Sequence, residues 1–170
     1  MPYGLAGGGV VVTVMALVYS QSPALFLSPL FQWSLLLLYG VAMVLSLLRR
    51  PQLSRSEATR TALTVFVLVS ASYYLYTYLL YEVFDPTLYE LQSELMIENA
   101  ERYATGTPGK FEETPAELYS VERLRYTPGG VLFNFALGCL SGAAVSYLLG
   151  LALGYREPGG EQAREPSGAY

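Results

Sequence analysis

The sequence contains no histidine and a single cysteine, Cys139, among its 170 residues. Without a second cysteine the chain forms no internal disulfide, and without histidine it has neither a Ser-His-Asp triad nor a Cys/His zinc site. The glycine run at Gly7, Gly8 and Gly9 follows no strand and is no phosphate-binding loop. We therefore expect a non-enzymatic protein with no catalytic residue, no metal site and no cofactor.

Charged residues are also scarce, at 14% of the chain, whereas hydrophobic residues reach 52%. An ordinary globular domain has about 25% charged residues. The charge-free apolar runs cover residues 4–21, 30–48, 61–81 and 128–155. About 20 helical residues cross the hydrocarbon core of a bilayer. The sequence therefore predicts an all-α bundle of four transmembrane helices in a single membrane domain, residues 1–155.

A cleavable signal peptide is the alternative reading of residues 4–21. Such a peptide begins with a basic region, but no Lys or Arg precedes Arg49. We therefore predict that this segment is a retained membrane helix. At the other end, residues 156–170 are polar and rich in Gly and Pro, which predicts a disordered tail.

No Asp, Glu, Lys or Arg lies inside the four apolar runs; the nearest are Arg60 and Glu82 at the ends of the third. Proton relays and ion pathways rely on such ionisable groups within the membrane. Their absence argues against a pump or a coupled transporter. The strongest polar side chains at depth are Gln32 and Asn134, for which we expect interhelical hydrogen bonds.

Small residues recur at every fourth position of the last apolar run, at Gly138, Gly142, Ser146, Gly150 and Gly154. Steps of four trace a diagonal groove on a helix, and small residues let a second backbone approach closely.

Gly4, Gly7 and Gly8 predict a similar contact surface on the first helix. The leading hypothesis is an accessory or scaffolding subunit of a bacterial inner-membrane complex, which docks on other membrane subunits or on a second copy of itself through such faces.

The charges are unequally distributed between the two ends of the bundle. Residues 49–60 carry four arginines, Arg49, Arg50, Arg55 and Arg60, against one acid. Short arginine-rich loops stay in the cytoplasm, so we predict a multi-pass protein of the inner (plasma) membrane with both termini cytoplasmic. A lipid headgroup site is the alternative role of these arginines. Residues 82–127 then lie outside with a net charge of −6, which disfavours nucleic acid as a partner.

The outer segment, residues 82–127, contains two helix-start signals. Asp85-Pro86 combines an N-cap acid with proline, and predicts an amphipathic helix to about Tyr103. Thr114 and Glu117 have the spacing of a capping box, and predict a second short helix.

Aromatic residues concentrate toward the predicted outer surface. Phe26, Phe31 and Trp33 predict an aromatic belt around the linker at residues 22–29.

In the third run, Tyr74, Tyr78 and Tyr81 share one helical face. A lipid or quinone ring could stack on that face, so the second hypothesis is a small carrier or binding protein for a lipid, quinone or small solute. A sensor that reads an outside ligand with the acidic segment is the third.

Residues 53–63 (LSRSEATRTAL), the tyrosine-rich end of the third run and the motif YEVFDP at residues 81–86 resemble the bacterial domain of unknown function family 4199. The long polar outer segment and the Gly/Ser-rich last helix extend this resemblance over residues 5–155. The resemblance implies four helices and a bacterial inner membrane, and brings no catalytic residue with it.

Overall fold

The computed structural model describes residues 2–50, 53–104 and 114–153. The helices in these residues are α1 (Pro2–Gln21), α2 (Pro23–Phe26), α3 (Pro29–Leu48), α4 (Arg55–Leu79), α5 (Leu88–Ala104), α6 (Pro115–Leu118), α7 (Val121–Leu124) and α8 (Pro128–Leu153). A π-helical turn, Leu80–Phe84, continues α4. The segments long and apolar enough to cross a membrane are Tyr3–Gln21, Pro29–Leu48, Arg55–Phe84 and Pro128–Leu153. The prediction of an all-α fold with four membrane spans is confirmed.

The third span is longer than the predicted 61–81, because its helix begins at Arg55 and the π turn carries it to Phe84. The early start has a local cause, a capping box. The Ser54 N–H donates to the Glu57 carboxylate at 3.0 Å, and the Glu57 N–H donates to the Ser54 hydroxyl at 3.4 Å. The polar residues before 61 are therefore the first turns of the span.

The predicted linker at residues 22–29 contains the short helix α2, whose first turn is capped by the Ser22 hydroxyl. This helix turns Phe26 inward, where it is 1% exposed and packs edge-on against Tyr19 with ring centroids 6.0 Å apart. Phe31 is buried as well, whereas Trp33 is 69% exposed. The predicted aromatic belt is therefore wrong for Phe26 and Phe31, because both rings pack inside the bundle, where Phe26 lies between Tyr19 and Phe31.

The long helix α4 is the centre of the bundle, and α1, α3 and α8 all pack against it. Its side chains at Ala58, Ala62, Val65 and Val69 are buried. α3 and α8 touch each other far less than either touches α4. Each of the other spans is therefore positioned mainly by its contact with α4.

The predicted contact glycines of α1 all face neighbouring spans. A Cβ added to Gly4 would lie 3.0 Å from the Leu68 Cβ, and one on Gly7 would lie 3.0 Å from a Val69 methyl and 3.2 Å from the Ala42 Cβ. A Cβ on Gly8 would overlap the hydroxyl of Ser72 on α4. α1 therefore approaches α4 as closely as its glycines permit, and Gly7 also contacts α3.

Side-chain contacts define two ends of the bundle. At the arginine end, Arg49 donates to the Tyr3 hydroxyl at 3.4 Å and lies 5.7 Å from the centre of its ring, which brings together the start of α1 and the end of α3. At the acidic end, the Tyr19 hydroxyl donates to the Asp85 carboxylate at 2.5 Å and joins the end of α1 to the residue after the π turn. The same carboxylate accepts from the backbone N–H and hydroxyl of Thr87.

Three tyrosines form a cluster at the acidic end. The ring of Tyr81 lies 4.9 Å from that of Tyr89 and 5.0 Å from that of Tyr126. The Tyr89 hydroxyl accepts from the Tyr126 N–H at 2.8 Å and donates to Glu82 at 2.8 Å. Burial raises the pKa of Tyr89 to about 12, so this hydroxyl keeps its proton at neutral pH. The cluster joins the end of α4, the first turn of α5 and the residues just before α8.

The outer helices begin close to their predicted positions. Tight hydrogen-bonded turns at Asp85–Thr87 precede α5, and Leu88 in its first turn is buried. The Thr114 N–H donates to the Glu117 carboxylate at 3.1 Å at the start of α6. The predicted second helix consists of two single turns, α6 and α7, which both contact α5.

Acidification is expected to weaken the acidic end. Hydrogen bonds from Thr87 and Tyr19 hold the pKa of Asp85 below its ordinary value of 3.8. A carboxylate with a lowered folded-state pKa stabilises the fold above its unfolded pKa, about 4, and this contribution is lost as the pH falls through the folded pKa. Thermal unfolding of the detergent-solubilised protein from neutral pH down to about pH 3 measures the loss.

The Tyr19→Phe variant is expected to be less stable than the wild type by about 1 kcal/mol at neutral pH, because it lacks the hydrogen bond to Asp85. The difference should shrink as the pH falls through the folded-state pKa of Asp85, because the carboxylate then becomes protonated. Ser20→Ala is the matched control, since the Ser20 hydroxyl donates to a carbonyl within α1. A stability difference that is the same at both pH extremes would contradict this account.

Candidate functional site

The small-residue groove of α8 is occupied by α4 of the same chain. Gly142, Ser146 and Gly150 are buried there. A Cβ on Gly142 would overlap the ring of Phe66, and a Cβ on Gly150 would lie 3.0 Å from the Arg55 carbonyl oxygen. The Ser146 hydroxyl donates to the Gly142 carbonyl at 2.6 Å, so it needs no partner on α4. A partner protein therefore has no access to the groove at these three residues, and Gly154 lies outside the described residues.

The remaining predicted groove residue, Gly138, has different surroundings. Its nearest neighbour is the Tyr74 side chain, whose hydroxyl would lie 3.7 Å from an added Cβ, an ordinary contact distance. The α4 backbone is closest to α8 at Gly150, while aromatic rings of α4 lie beside α8 at Gly142 and Gly138. Toward the acidic end, recesses are present beside these rings.

The inner cleft is a recess of about 390 Å³ between α3, α4 and α8. Its lining includes Gln32, Tyr39, Phe66, Ser70, Tyr73 and Gly138. The Tyr73 hydroxyl donates to the Gln32 side-chain oxygen at 2.9 Å, and the Gln32 amide donates to the Phe26 carbonyl at 3.1 Å. Gln32 therefore makes the interhelical hydrogen bond expected of it, from α3 to α4.

Two further recesses lie along the contact between α4 and α8. The polar pocket, of about 240 Å³, is lined by Tyr73, Tyr74, Thr77, Tyr78, Tyr126 and Asn134, together with Val131. The outer groove, of about 390 Å³, is apolar, and its lining includes Ala71, Leu75, Tyr78, Leu132 and Phe135. Tyr74 borders the inner cleft, the polar pocket and the outer groove alike.

The side chain of Tyr74, which belongs to α4, lies between α4 and α8 and is fixed by contacts with both helices. Its hydroxyl donates to the backbone carbonyl of Asn134 at 3.2 Å, and its ring packs edge-on against Phe135 at 5.9 Å and Tyr73 at 5.2 Å. The interhelical hydrogen bond predicted for the Asn134 side chain is wrong within the described residues: the bond from Tyr74 goes to the Asn134 backbone, and the side-chain amide is exposed at the polar pocket.

The predicted tyrosine face is only partly assembled. Tyr74 and Tyr78 line the polar pocket and the outer groove. Tyr81, which is 2% exposed, packs in the cluster with Tyr89 and Tyr126 instead. The helical spacing of the three tyrosines gives no sign of this difference, because the rings that cover Tyr81 come from α5 and from the residues before α8.

Sequence reasoning missed Thr77 and Ser70, which lie among the tyrosines and are both buried. Ser70 lines the inner cleft and Thr77 lines the polar pocket. The available signal was a small hydroxyl residue within an apolar and aromatic run. It was weak because most such hydroxyls bond to their own helix.

The residues that line the three recesses include hydroxyls and amides but no ionised side chain. Apolar walls with a few polar groups are the usual lining of a small-molecule site. These features define a four-span membrane protein with uncharged recesses between its third and fourth spans.

The chain belongs to the protein family of unknown function DUF4199, whose profile matches residues 2–153. The resemblance noted from the sequence is thereby confirmed. Comparisons with curated proteins and with solved structures find no match to this chain.

Adding a side chain where α4 and α8 are in close contact is expected to destabilise the bundle. In Gly150→Ala the new methyl lies 3.0 Å from backbone atoms of Arg55 and Thr59, so α8 must shift. Overpacking of this kind costs about 1–3 kcal/mol. Thermal unfolding in lipid nanodiscs measures the effect.

Ala144→Leu is the matched control for Gly150→Ala, because Ala144 is exposed on the same helix. Its unfolding temperature should stay at the wild-type value. Equal unfolding temperatures for Gly150→Ala and the control would contradict the close approach of α4 and α8.

Proposed function

We propose that this chain is a non-enzymatic membrane protein that binds a lipid-soluble small molecule in the recesses between its third and fourth spans. The observation that carries the proposal is the position of Tyr74, a single side chain that borders three recesses within the spans. Two of them, at about 390 Å³ each, fall within the size range of small-molecule sites.

The non-enzymatic part of the proposal is supported by the chemistry of the side chains. The sequence has no histidine, and the recesses are lined by no carboxylate, ammonium or guanidinium group. General acid-base catalysis generally needs such a group within hydrogen-bond reach of the substrate. Tyrosine hydroxyls and amides are better suited to binding and orienting a molecule than to transferring its protons.

The hypothesis of an accessory subunit receives less support. It was motivated by the small-residue groove, and α4 fills that groove at Gly142 and Gly150. The contact glycines of α1 are likewise covered by Leu68, Val69 and Ser72 of α4. Docking on another membrane protein would need a surface other than the ones that motivated the idea.

A ligand of this kind would enter from the bilayer. Trp33 and Leu36 line the inner cleft and are also exposed on the outer surface of α3. Exposed surfaces of a membrane span face hydrocarbon, so this rim is in contact with lipid tails. Acyl chains of ordinary phospholipids are therefore the competing occupants of the cleft.

Filling the inner cleft is expected to displace a bound molecule. Gly138→Leu projects a side chain into the cleft from a position where a Cβ makes only ordinary contacts. Organic extraction and mass spectrometry of the purified protein should find one enriched lipid-soluble species in the wild type and at least about tenfold less in the variant, the equivalent of about 1.4 kcal/mol.

Gly9→Leu is the control for Gly138→Leu, since a Cβ on Gly9 meets no atom within 4 Å. This variant should retain the wild-type amount of the extracted molecule. Thermal unfolding of both variants verifies the fold. The proposal is wrong if the wild type carries only the bulk lipid mixture. A folded Gly138→Leu that carries as much of the enriched species as the wild type would exclude the inner cleft as the site and leave the polar pocket and the outer groove.

We further infer that the protein lies in a bacterial inner membrane with its arginine end in the cytoplasm. The arginines at 49, 50, 55 and 60 support this orientation, because cytoplasmic loops retain positive charge. Tyr3 lies beside Arg49, so the start of α1 is at the same end. Residues 82–127, with their net charge of −6, would then face outward.

Cysteine labelling tests the orientation. In a Cys139→Ser background, Glu94→Cys at the acidic end should react with a membrane-impermeant maleimide on intact cells. Ser56→Cys at the arginine end should react only after lysis. Both positions are exposed, and Ser56 lies in the first turn of α4, next to Arg55. The reverse labelling pattern would invert the proposed orientation.

A further inference from the structure

Thr77 lacks the hydrogen bond within the helix that three other hydroxyl residues of α4 make. Thr59, Thr64 and Ser72 each donate to the carbonyl four residues earlier, at 2.8–3.0 Å. The Thr77 hydroxyl is buried, with the residue 6% exposed, and forms no hydrogen bond with any residue that the structure describes. The nearby Tyr73 hydroxyl donates to Gln32, so toward Thr77 it can act only as an acceptor, which leaves the Thr77 oxygen without a donor. A buried hydroxyl oxygen without a donor costs free energy, so a donor from outside the chain would stabilise this site.

The polar pocket that Thr77 lines also contains the side chain of Asn134. Asn134 is the seventh residue of α8, about 9 Å along the helix from its first residue. The Asn134 side chain is exposed there and forms no hydrogen bond with the residues that the structure describes, so its amide can bond a ligand. Thr77 and Asn134 thus present a hydroxyl and an amide to the same pocket.

The absence of charge in the lining of the polar pocket restricts the chemistry of a ligand that could bind there. The polar pocket is lined by tyrosines, Thr77, Val131 and Asn134, without an ionised side chain. A charged head in this setting would have no counter-ion and would be desolvated at high cost. An uncharged head with carbonyl or hydroxyl oxygens can both accept from and donate to the groups present.

The shape of the neighbouring recess, the outer groove, indicates what kind of group is attached to the polar head of the ligand. The polar pocket, at about 240 Å³, is smaller than a typical small-molecule site. It shares Tyr74, Tyr78 and Val131 with the apolar outer groove of about 390 Å³. The groove follows α8 from Pro128 to Phe135, about 10 Å along the helix. A hydrocarbon chain fits such a groove.

We propose that the polar pocket and the outer groove together bind one uncharged amphiphile. Its hydrogen-bonding head lies beside Thr77 and Asn134, and its hydrocarbon tail lies over Leu132 and Phe135. The inference rests on the proposed function and narrows the ligand to a class. A quinone with an alkyl tail and a diacylglycerol share this chemistry.

Binding of defined probes to the full-length protein in phosphatidylcholine nanodiscs tests the inference. The probes are decyl-benzoquinone and dioctanoylglycerol, with dioctanoyl phosphatidate as the charged comparison of the same tail length. Ligand-dependent rise of the unfolding temperature reports the affinity of each probe. We expect one neutral probe to bind at least about tenfold more tightly than the phosphatidate. Which neutral probe binds distinguishes a quinone from a glyceride.

Two variants locate the head and the tail. Thr77→Val removes the hydroxyl at nearly constant volume and is expected to weaken binding of the neutral probe by about fivefold, the loss of one hydrogen bond. Leu132→Trp narrows the groove and should weaken binding of the same neutral probe. Thr64→Val is the control, because Thr64 is exposed and its hydroxyl is bonded within α4.

The outcomes separate this inference from the proposed function. If Thr77→Val and Thr64→Val bind the neutral probe equally, or if phosphatidate binds as tightly, the inference is overturned while binding itself stands. If Thr77→Val only changes the unfolding temperature of the free protein, a trapped water satisfies the hydroxyl and the inference also fails. If no probe binds the wild type and its extracts contain bulk lipid alone, the proposed function fails as well.

Discussion

The bundle depends on close contact between α4 and the small-residue faces of α1 and α8. In a bilayer, lipid tails are as apolar as the helices, so burial of apolar surface does not draw the spans together. Van der Waals contact must do so, and it requires backbones that come near one another. Gly4, Gly7 and Gly8 of α1 and Gly142 and Gly150 of α8 permit that approach, with Leu68, Val69, Phe66 and Thr59 on the facing side. The helix α4 is central because it meets glycine on two sides.

The same contact explains where the recesses lie. Near Gly150 the backbone of α4 leaves no room beside α8, whereas aromatic rings lie between or beside the two helices at Gly142 and Gly138. A flat ring fills a gap unevenly, so space is left on either side of Tyr74. The packing that holds the arginine end closed thus leaves recesses toward the acidic end, within the depth of the membrane.

Polar contacts at the acidic end fix the positions of the residues around these recesses. Tyr19 joins α1 to Asp85, and Tyr89 links Glu82 to the backbone of Tyr126 just before α8 begins. Tyr126 itself lines the polar pocket. The outer helix α5, which carries Tyr89 in its first turn, is thereby joined to the polar pocket through Tyr126.

The amino-acid sequence by itself determined the spans, their number, the helix-start signals and the family, because the thickness of hydrocarbon and the rules of helix capping act locally along the chain. It also marked the glycines as contact residues. Only the tertiary structure decided which surface meets which. The groove of α8 receives Phe66 and Thr59 of its own chain, Tyr81 is covered by rings 8 and 45 positions away, and Thr77 is buried beside Tyr73. Periodicity places a residue on a face of its helix but carries no information about the distant side chains that cover that face, and these side chains determine which polar groups are buried and which are exposed.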